Sequence, residues 1–520
     1  MMDDRRGDGM SVLAAAADPG DAGRPALILP GAAAGELFTY ADLGRLVAQT
    51  SARLARAGVG PGARVALQSP NRLGVVLAIH ALLALGAVLV PLHPRLTASE
   101  AAALLADARP DIVLREPDLA ALESDLAACA QPPPAAPLAP PPDGDLAIVY
   151  TSGTTGRPKG AVLTRRAFIA AATSSAANLG FRDDDRWLLC MPLCHVGGLS
   201  IVTRCLLARR AVILVPRFEP DAVLAAVAAH GATLLSVVPT MLAALLDADG
   251  AGVLARLRAI LVGGAAAPAR LLVECARRGV PALTTYGLTE ACSQVTSQRP
   301  RDPRTLEPGS GRPLPGIEVR IGAAGADGAG RIQIRSPALF RGYWRGPEAP
   351  AEPATDAEGW LDTGDVGLLD EAGRLHVLAR RTDLIVTGGE NVYPVEVERA
   401  LEACAGVARA LVFGVPDERW GQVVAAAVVL EPGAGERLVD VTHATHATHA
   451  THATHATHAA LAALAADLQD RLAPHKRPRR LCVVGELPVT AAGKLDRAGA
   501  ATQLQGALLP LPPPAPPAAR

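Results

Sequence analysis

Tyr150-Thr151-Ser152-Gly153-Thr154-Thr155-Gly156-Arg157-Pro158-Lys159-Gly160 overlaps the end of the apolar run 146–150 and carries straight on from it. An apolar run of that length reads as a buried strand, and the polar, glycine-punctuated segment after it reads as a loop that cradles phosphate. Gly153, Gly156 and Gly160 are free to take backbone angles closed to other residues. Thr151, Ser152, Thr154 and Thr155 bring hydroxyl donors, and Lys159 places a positive charge where a polyphosphate would sit. The loop is not of the Walker type, which needs Ser or Thr directly after the lysine, whereas Gly160 follows Lys159. Alone, such a loop is also compatible with a surface turn, and its surroundings decide.

Outward from this loop, residues 40–215 alternate alanine- and leucine-rich helical stretches with short apolar strands at 64–68, 88–91, 111–114, 146–150, 187–190 and 211–215. That alternation predicts α/β layering with largely parallel sheets. A second series follows at 233–238, 259–262 and 282–285, and then glycines, prolines and short alternating strands over 309–334 predict a β-rich subdomain. Residues 73–92 are apolar enough to suggest a membrane span, but His80, Gly86 and the β-branched ending predict a buried helix running into a buried strand. The proline-dense residues 132–142 read as an exposed spacer. A domain boundary falls at 379–383, after strand-like residues 375–378, with strands expected near 408–412 and 423–430 and a helix over 460–472.

A chain of 520 residues exceeds one core, so at least two domains are expected. With 50 basic against 51 acidic residues, nothing favours nucleic acid or an anionic membrane, and the expected partners are small molecules. The 8 cysteines are scattered with no C-x-x-C pair, as suits reduced core residues of a cytoplasmic protein. The start, Met1-Met2-Asp3-Asp4-Arg5-Arg6, carries acidic residues and precedes no long apolar run, so no signal peptide is expected. Residues 442–459 repeat Thr-His-Ala, with histidines at 443, 446, 449, 452, 455 and 458. Such a tract can bind transition metals, but an expanded triplet in a tolerant loop explains it without function.

The loop at 151–160 resembles the phosphate-loop signature of the adenylate-forming superfamily, which includes the acyl-CoA synthetases, peptide-synthetase adenylation domains and luciferases. The superfamily's other motifs recur in order: Met191-Pro192-Leu193-Cys194-His195-Val196-Gly197-Gly198, Tyr286-Gly287-Leu288-Thr289-Glu290, Thr363-Gly364-Asp365, Arg380-Arg381-Thr382-Asp383, Gly388-Gly389-Glu390-Asn391, and Pro488-Val489-Thr490-Ala491-Ala492-Gly493-Lys494-Leu495-Asp496-Arg497. The resemblance implies an α/β fold: a large N-terminal domain of layered α/β subdomains plus a β-rich subdomain, and a small mobile α+β C-terminal lid. The implied divisions are an N-terminal extension at 1–24, the adenylate-forming domain at 25–379, a hinge at 380–383 centred on Thr382, the lid at 384–500, and a disordered proline-rich tail at 501–520.

The same resemblance implies ATP, Mg2+ and coenzyme A, and assigns roles. Thr151, Ser152, Gly153, Thr154, Thr155 and Lys159 would hold the β- and γ-phosphates. Thr289 would contact the α-phosphate, and Glu290 would ligate Mg2+. Tyr286 would lie against adenine near the backbone of Gly263 and Gly264, while Asp365, helped by Arg380, would accept the ribose hydroxyls. Lys494 would bridge the acid's carboxylate and the α-phosphate. His195 and Gly287 would border the acid, with His195 positioning it, and Gly388 and Gly389 would leave room for the pantetheine arm. Read without the resemblance, Thr289 and Glu290 also suit a helix start, Asp365 a turn, and Lys494 a solvated loop. The basic residues 475–480 read as a solvated loop with a phosphate contact to CoA as an addition.

Within the superfamily, residues 191–214, 236–246, 285–297 and 383–398 are similar to the o-succinylbenzoate–CoA ligases of menaquinone biosynthesis. The implied acid carries a second carboxylate, for which Arg204 is the candidate partner, its other reading being a solvated helix residue. Cys194 stands where an aromatic is usual, Ala379 replaces a glycine, and Ala265-Ala266 replace Gly-Pro, which leaves pocket shape open. The alternatives are a CoA ligase for another aryl or medium-chain acid and, from a different class, a non-catalytic nucleotide-binding scaffold. The oligomeric state is open, with a homodimer among the expectations.

Overall fold

Residues 73–92 fold as the helix Leu73–Leu85, closed by Gly86 in the left-handed conformation at φ 66°, and then the strand Val88–Leu92, whose five residues are all buried. Glycine is needed at that cap because the chain must reverse its backbone sense within one residue. The computed structural model describes residues 9–31, 36–125, 143–151, 158–325, 328–380, 383–387, 390–417, 420–431, 464–469, 471–472, 474–490 and 495–511. Among these, no helix is long and apolar enough to cross a membrane.

Three sheets build the large N-terminal domain. In the first, Ile112–Arg115, Arg64–Gln68, Val88–Leu92 and Asp145–Thr151 run parallel. Asp145–Thr151 then turns back antiparallel into Lys159–Thr164, which pairs with the edge strand Gly342–Tyr343. The second sheet has nine strands, with Pro25–Leu29, Ala211–Leu214, Arg186–Leu189, Leu234–Val237, Ala259–Val262 and Ala282–Leu288 parallel in its centre. Antiparallel strands close both edges, Glu36–Thr39 at one and Ser293–Ser297 with Arg312–Pro313 at the other. The third sheet is antiparallel, in the order Glu318–Gly322, Gly330–Arg335, Leu361–Leu369, Leu375–Arg380. The central strands of the nine-stranded sheet are buried along their length, as parallel strands covered on both faces must be.

The smaller C-terminal unit is a sheet in which Val407–Asp417 and Gly421–Leu430 form a long hairpin, flanked by Ile385–Thr387 and Arg480–Val483. Val397, Leu401, Val412, Val424 and Leu468 form its core. Both termini differ from expectation. In the segment expected as an extension, Ser11 caps the helix Val12–Ala17, and Met10, Val12 and Ala15 are buried in the large core. At the other end Leu509–Pro510 pairs with Arg480 and Leu481, so residues 501–511 are not a disordered tail. Apolar side chains there, Leu504 and Leu508, pack on a core cluster of the smaller unit and hold the segment down. The remainder of that tail, the spacer at 132–142 and the repeat at 442–459 lie outside the described residues. Among the described residues seven cysteines are free and buried, as core residues are.

Candidate active site

The register of the hairpin sets Thr151 opposite Lys159, and Thr151 Oγ1 donates to the Lys159 carbonyl at 3.5 Å. The two ends of the phosphate loop are thus pinned together at the carboxyl end of a parallel strand, where ligands of such sheets collect. Ser152, Gly153, Thr154 and Thr155 lie outside the described residues. Gly160 is a correction to the sequence reading, because its backbone angle is ordinary. A side chain there would meet Ile148 Cγ2 at 2.7 Å and Trp344 Cβ at 3.2 Å, so close approach and not a left-handed turn requires the glycine.

Lys159 Nζ sits 5.1 Å from the ring centroid of Tyr343, and the Tyr343 hydroxyl donates to Glu290 Oε1 at 2.9 Å. Burial, and then the adjacent Glu290 carboxylate, push the Tyr343 phenol upward, so it stays a proton donor to that carboxylate at neutral pH. Phe340 packs edge-on against Tyr343 at 4.9 Å, and its N–H donates to the Glu290 carbonyl at 2.8 Å. Thr289 and Glu290 do not start an α-helix; they form the single 3-10 turn Thr289–Ala291, followed by Cys292 at φ 52° and Ser293 at φ 105°. Tyr343 was not found by sequence reasoning. It sits on a two-residue edge strand with no periodicity to read, and the available signal was Gly342, at φ 151° and against the Glu352 carbonyl.

Tyr286 and Asp365 meet directly, with the Tyr286 hydroxyl donating to Asp365 Oδ2 at 2.7 Å. Asp365 is only 8% exposed and stands in cross-strand register with Arg380. Its local turn is set by Gly364 at φ 75°, by Gly364 N–H bonding to Asp362, and by Asp365 N–H bonding to Thr363 Oγ1. Gly287 lies so close to the next strand that an added Cβ would fall 1.7 Å from the Ser293 carbonyl oxygen. Gly263 follows the neighbouring strand Ala259–Val262, and its missing side chain leaves room for Thr285; Gly264 follows at φ 79°. The two glycines and Tyr286 are placed by the ends of adjacent strands of the nine-stranded sheet, Thr289 and Glu290 by the 3-10 turn that follows, and Asp365 by the strand Leu361–Leu369 of the third sheet.

His195 precedes the helix Val196–Ala208. A Cβ on Gly198 would lie 2.4 Å from the Pro192 carbonyl, so the 191–195 loop folds tightly over the helix start. Asn71, also missed in the sequence, staples that loop: its Nδ2 donates to the Met191 carbonyl at 2.9 Å and its Oδ1 accepts from Leu193 N at 3.2 Å. Arg204 is not a solvated helix residue. It is 2% exposed, donates to Ser293 Oγ at 3.3 Å, lies 5.5 Å from the Trp187 ring, and pairs with no carboxylate among the described residues. Burial pulls its pKa down to about 10, which leaves it charged at neutral pH.

On the smaller unit, Lys494, Thr382, Gly388 and Gly389 lie outside the described residues, as does the Arg380 side chain. Three residues past Lys494, Arg497 bonds both carboxylate oxygens of Glu398 at 2.7 Å and lies 3.7 Å from Asp383. The basic cluster is engaged in structure and is not a solvated loop. Lys476 pairs with Glu396, Arg477 bonds the Leu472 and Gln469 carbonyls, and Arg479 lies over Trp420.

The family described as AMP-binding enzyme matches residues 14–344, and that described as AMP-binding enzyme C-terminal domain matches 396–494. A 2-succinylbenzoate–CoA ligase of Bacillus cereus is 36% identical over 473 residues, covering 89% of this chain and 92% of the relative. The o-succinylbenzoate CoA synthetase of Bacillus subtilis, solved with its acyl-adenylate intermediate, superposes with a TM-score of 0.77 at 32% identity, over 95% of this chain and 97% of that one. The same enzyme with ATP and magnesium ion gives a TM-score of 0.77 at 31% identity, over 95% and 98%.

Proposed function

The chain belongs to the AMP-binding enzyme family, and on that premise we propose that it joins 2-succinylbenzoate to coenzyme A through an acyl-adenylate, converting ATP to AMP and diphosphate. A carboxylate is a poor electrophile because its charge is delocalised and its leaving group would be oxide. Attack of one carboxylate oxygen on the α-phosphorus, with diphosphate leaving, turns it into a mixed anhydride. The thiol sulfur of CoA then attacks the acyl carbon, AMP leaves, and the thiol proton passes to solvent.

The observation that carries this reading is the linked pair of contacts Lys159–Tyr343–Glu290 and Tyr286–Asp365. The first joins the phosphate loop to the acidic group, and the second joins the adenine wall to the ribose acceptor. Together they give one preorganised nucleotide site, which stabilises charge without reorganisation during reaction. Thr151 and Lys159 hold the outer phosphates with Ser152, Gly153, Thr154 and Thr155, and Thr289 meets the α-phosphate. Glu290 is a hard oxygen donor already aimed by Tyr343, which fits Mg2+. When bound, that ion offsets the charge of the phosphates. Tyr286, Gly263 and Gly264 receive adenine, and Asp365 with Arg380 receives the ribose. His195 and Gly287 border the acid, and Arg204, charged and without a carboxylate partner among the described residues, attracts the distal carboxylate. Lys494 enters from the lid by rotation about Thr382, and Gly388 and Gly389 pass the pantetheine arm.

Both nucleotide substrates and the reduced, buried cysteines suit the cytoplasm. A homodimer is the assembly to test by sedimentation, and the chemistry needs no second chain. The deciding experiment is ATP–diphosphate exchange over a panel of acids, with 2-succinylbenzoate expected to give the highest kcat/KM. Arg204→Ala should raise KM for that diacid by roughly ten- to a hundredfold, the scale of a lost charged hydrogen bond, and leave KM for ATP nearly unchanged. A higher kcat/KM for benzoates lacking the succinyl carboxylate, or for medium-chain acids, would replace this reading with a general acyl-CoA ligase.

A further inference from the structure

His93 lies one residue past the strand Val88–Leu92, and Cys194-His195 end the loop after Arg186–Leu189. Two different sheets therefore deliver these residues to one place. The His93 and His195 rings are 5.9 Å apart between centroids, and one ligand atom from each of His93, Cys194 and His195 lies within 4.8 Å of the others. We propose that these three side chains form a binding site for one divalent transition-metal ion of the zinc class, and that its occupancy reversibly blocks the acid-binding end of the active site.

The donor set selects the ion. Two imidazoles and a thiolate suit zinc, which takes four ligands in a tetrahedron and here would keep one position open. Mg2+ demands oxygen ligands, so this donor set does not take the Mg2+ that Glu290 would hold. Bond lengths of about 2.0–2.3 Å set tetrahedral ligand atoms roughly 3.4–3.6 Å apart, so an approach of about 1 Å closes the cluster. The backbone N–H of Arg95 donates to His93 Nδ1 at 3.1 Å, so the neutral ring carries its proton on Nε2; coordination through Nε2 requires that proton to move to Nδ1 and the Arg95 contact to open. On coordination the Cys194 thiol proton goes to solvent and the sulfur takes the metal in its stead.

The blocking effect rests on the proposed role of His195, whose ring would be drawn onto the metal and away from the acid; the binding itself does not. A histidine tract such as 442–459 can bind transition metals, so it is removed first. In a chain with 442–459 replaced by a short glycine-serine linker, Co2+ should bind at one equivalent with a thiolate charge-transfer absorption. Cys194→Ser should abolish that band, and His93→Asn should weaken Zn2+ binding by about a hundredfold, at least the effect of losing a supporting contact. Thermal melts check that both variants stay folded. Absence of the thiolate band, or equal Zn2+ affinity in Cys194→Ser, would overturn the site. At fixed excess Mg2+, Zn2+ that fills the site should suppress ATP–diphosphate exchange, and His93→Asn should keep turnover while losing that sensitivity. Stoichiometric binding with the thiolate band but undiminished exchange would overturn the blocking role and the placing of His195 beside the acid, while exchange with other acids only would overturn the substrate reading alone.

Discussion

Tyr286 gives its hydroxyl to Asp365 at 2.7 Å, and the proposed function asks its ring face to receive a base as well. A buried carboxylate that loses a donor pays a desolvation penalty, and a hydrogen bond to a charged group is worth about 1.5–3 kcal/mol. Tyr286→Phe should therefore raise KM for ATP by roughly tenfold or more with little change in KM for the acid, measured by exchange at saturating acid. Tyr286 and Asp365 were both legible because they fall inside dense motifs. Their contact was not, because 79 residues separate them and no periodicity encodes a cross-sheet hydroxyl. Tyr343 and Asn71 were missed for the same physical reason: each acts on a residue far away in the chain. Arg204 was chosen as a candidate, yet its burial could not be read from a helix whose every face is occupied.

At the scale of elements, the alternation of strand and helix was readable because parallel strands must be apolar throughout, and the helix-to-strand passage at 73–92 followed from His80, Gly86 and the β-branched ending. What the pattern could not express was the suture under those elements. Asp185 accepts from Arg258 Nε at 2.7 Å, Thr233 Oγ1 at 2.7 Å and Arg182 N at 2.8 Å, and Arg258 reaches on to the Leu179 carbonyl. One carboxylate thus joins the end of a helix to the starts of three strands. Burial pushes its pKa up, but the Arg258, Arg182 and Thr233 bonds outweigh burial and hold it below the usual carboxylate value. A depressed folded-state pKa stabilises above the unfolded pKa of about 3.9 and ceases to do so as pH falls through the folded value. Asp185→Asn should cost about 3–5 kcal/mol at neutral pH, the scale of breaking a buried pair. Urea titrations should show the gap to the parent protein narrowing only below about pH 4.

For the whole molecule, the proposed division of chemistry between the large domain and the smaller C-terminal unit predicts a division of rates. Lys494→Ala should slow adenylate formation by roughly a hundredfold or more, as losing a preorganised charge does, and spare thioester formation from supplied acyl-adenylate; equal losses in the two single-turnover assays would refute the assignment. The two-domain plan was legible from the motif order, but the engaged N-terminal residues and the strand at Leu509–Pro510 were not, since short segments gain structure only from what they pack against. Arg497 adds a different kind of consequence. By pairing with Asp383 and Glu398, it ties a residue late in the smaller unit back to the segment where that unit begins. A unit whose late residues are tied back to its own beginning can be exchanged between relatives as one piece, and Arg497 is its clasp.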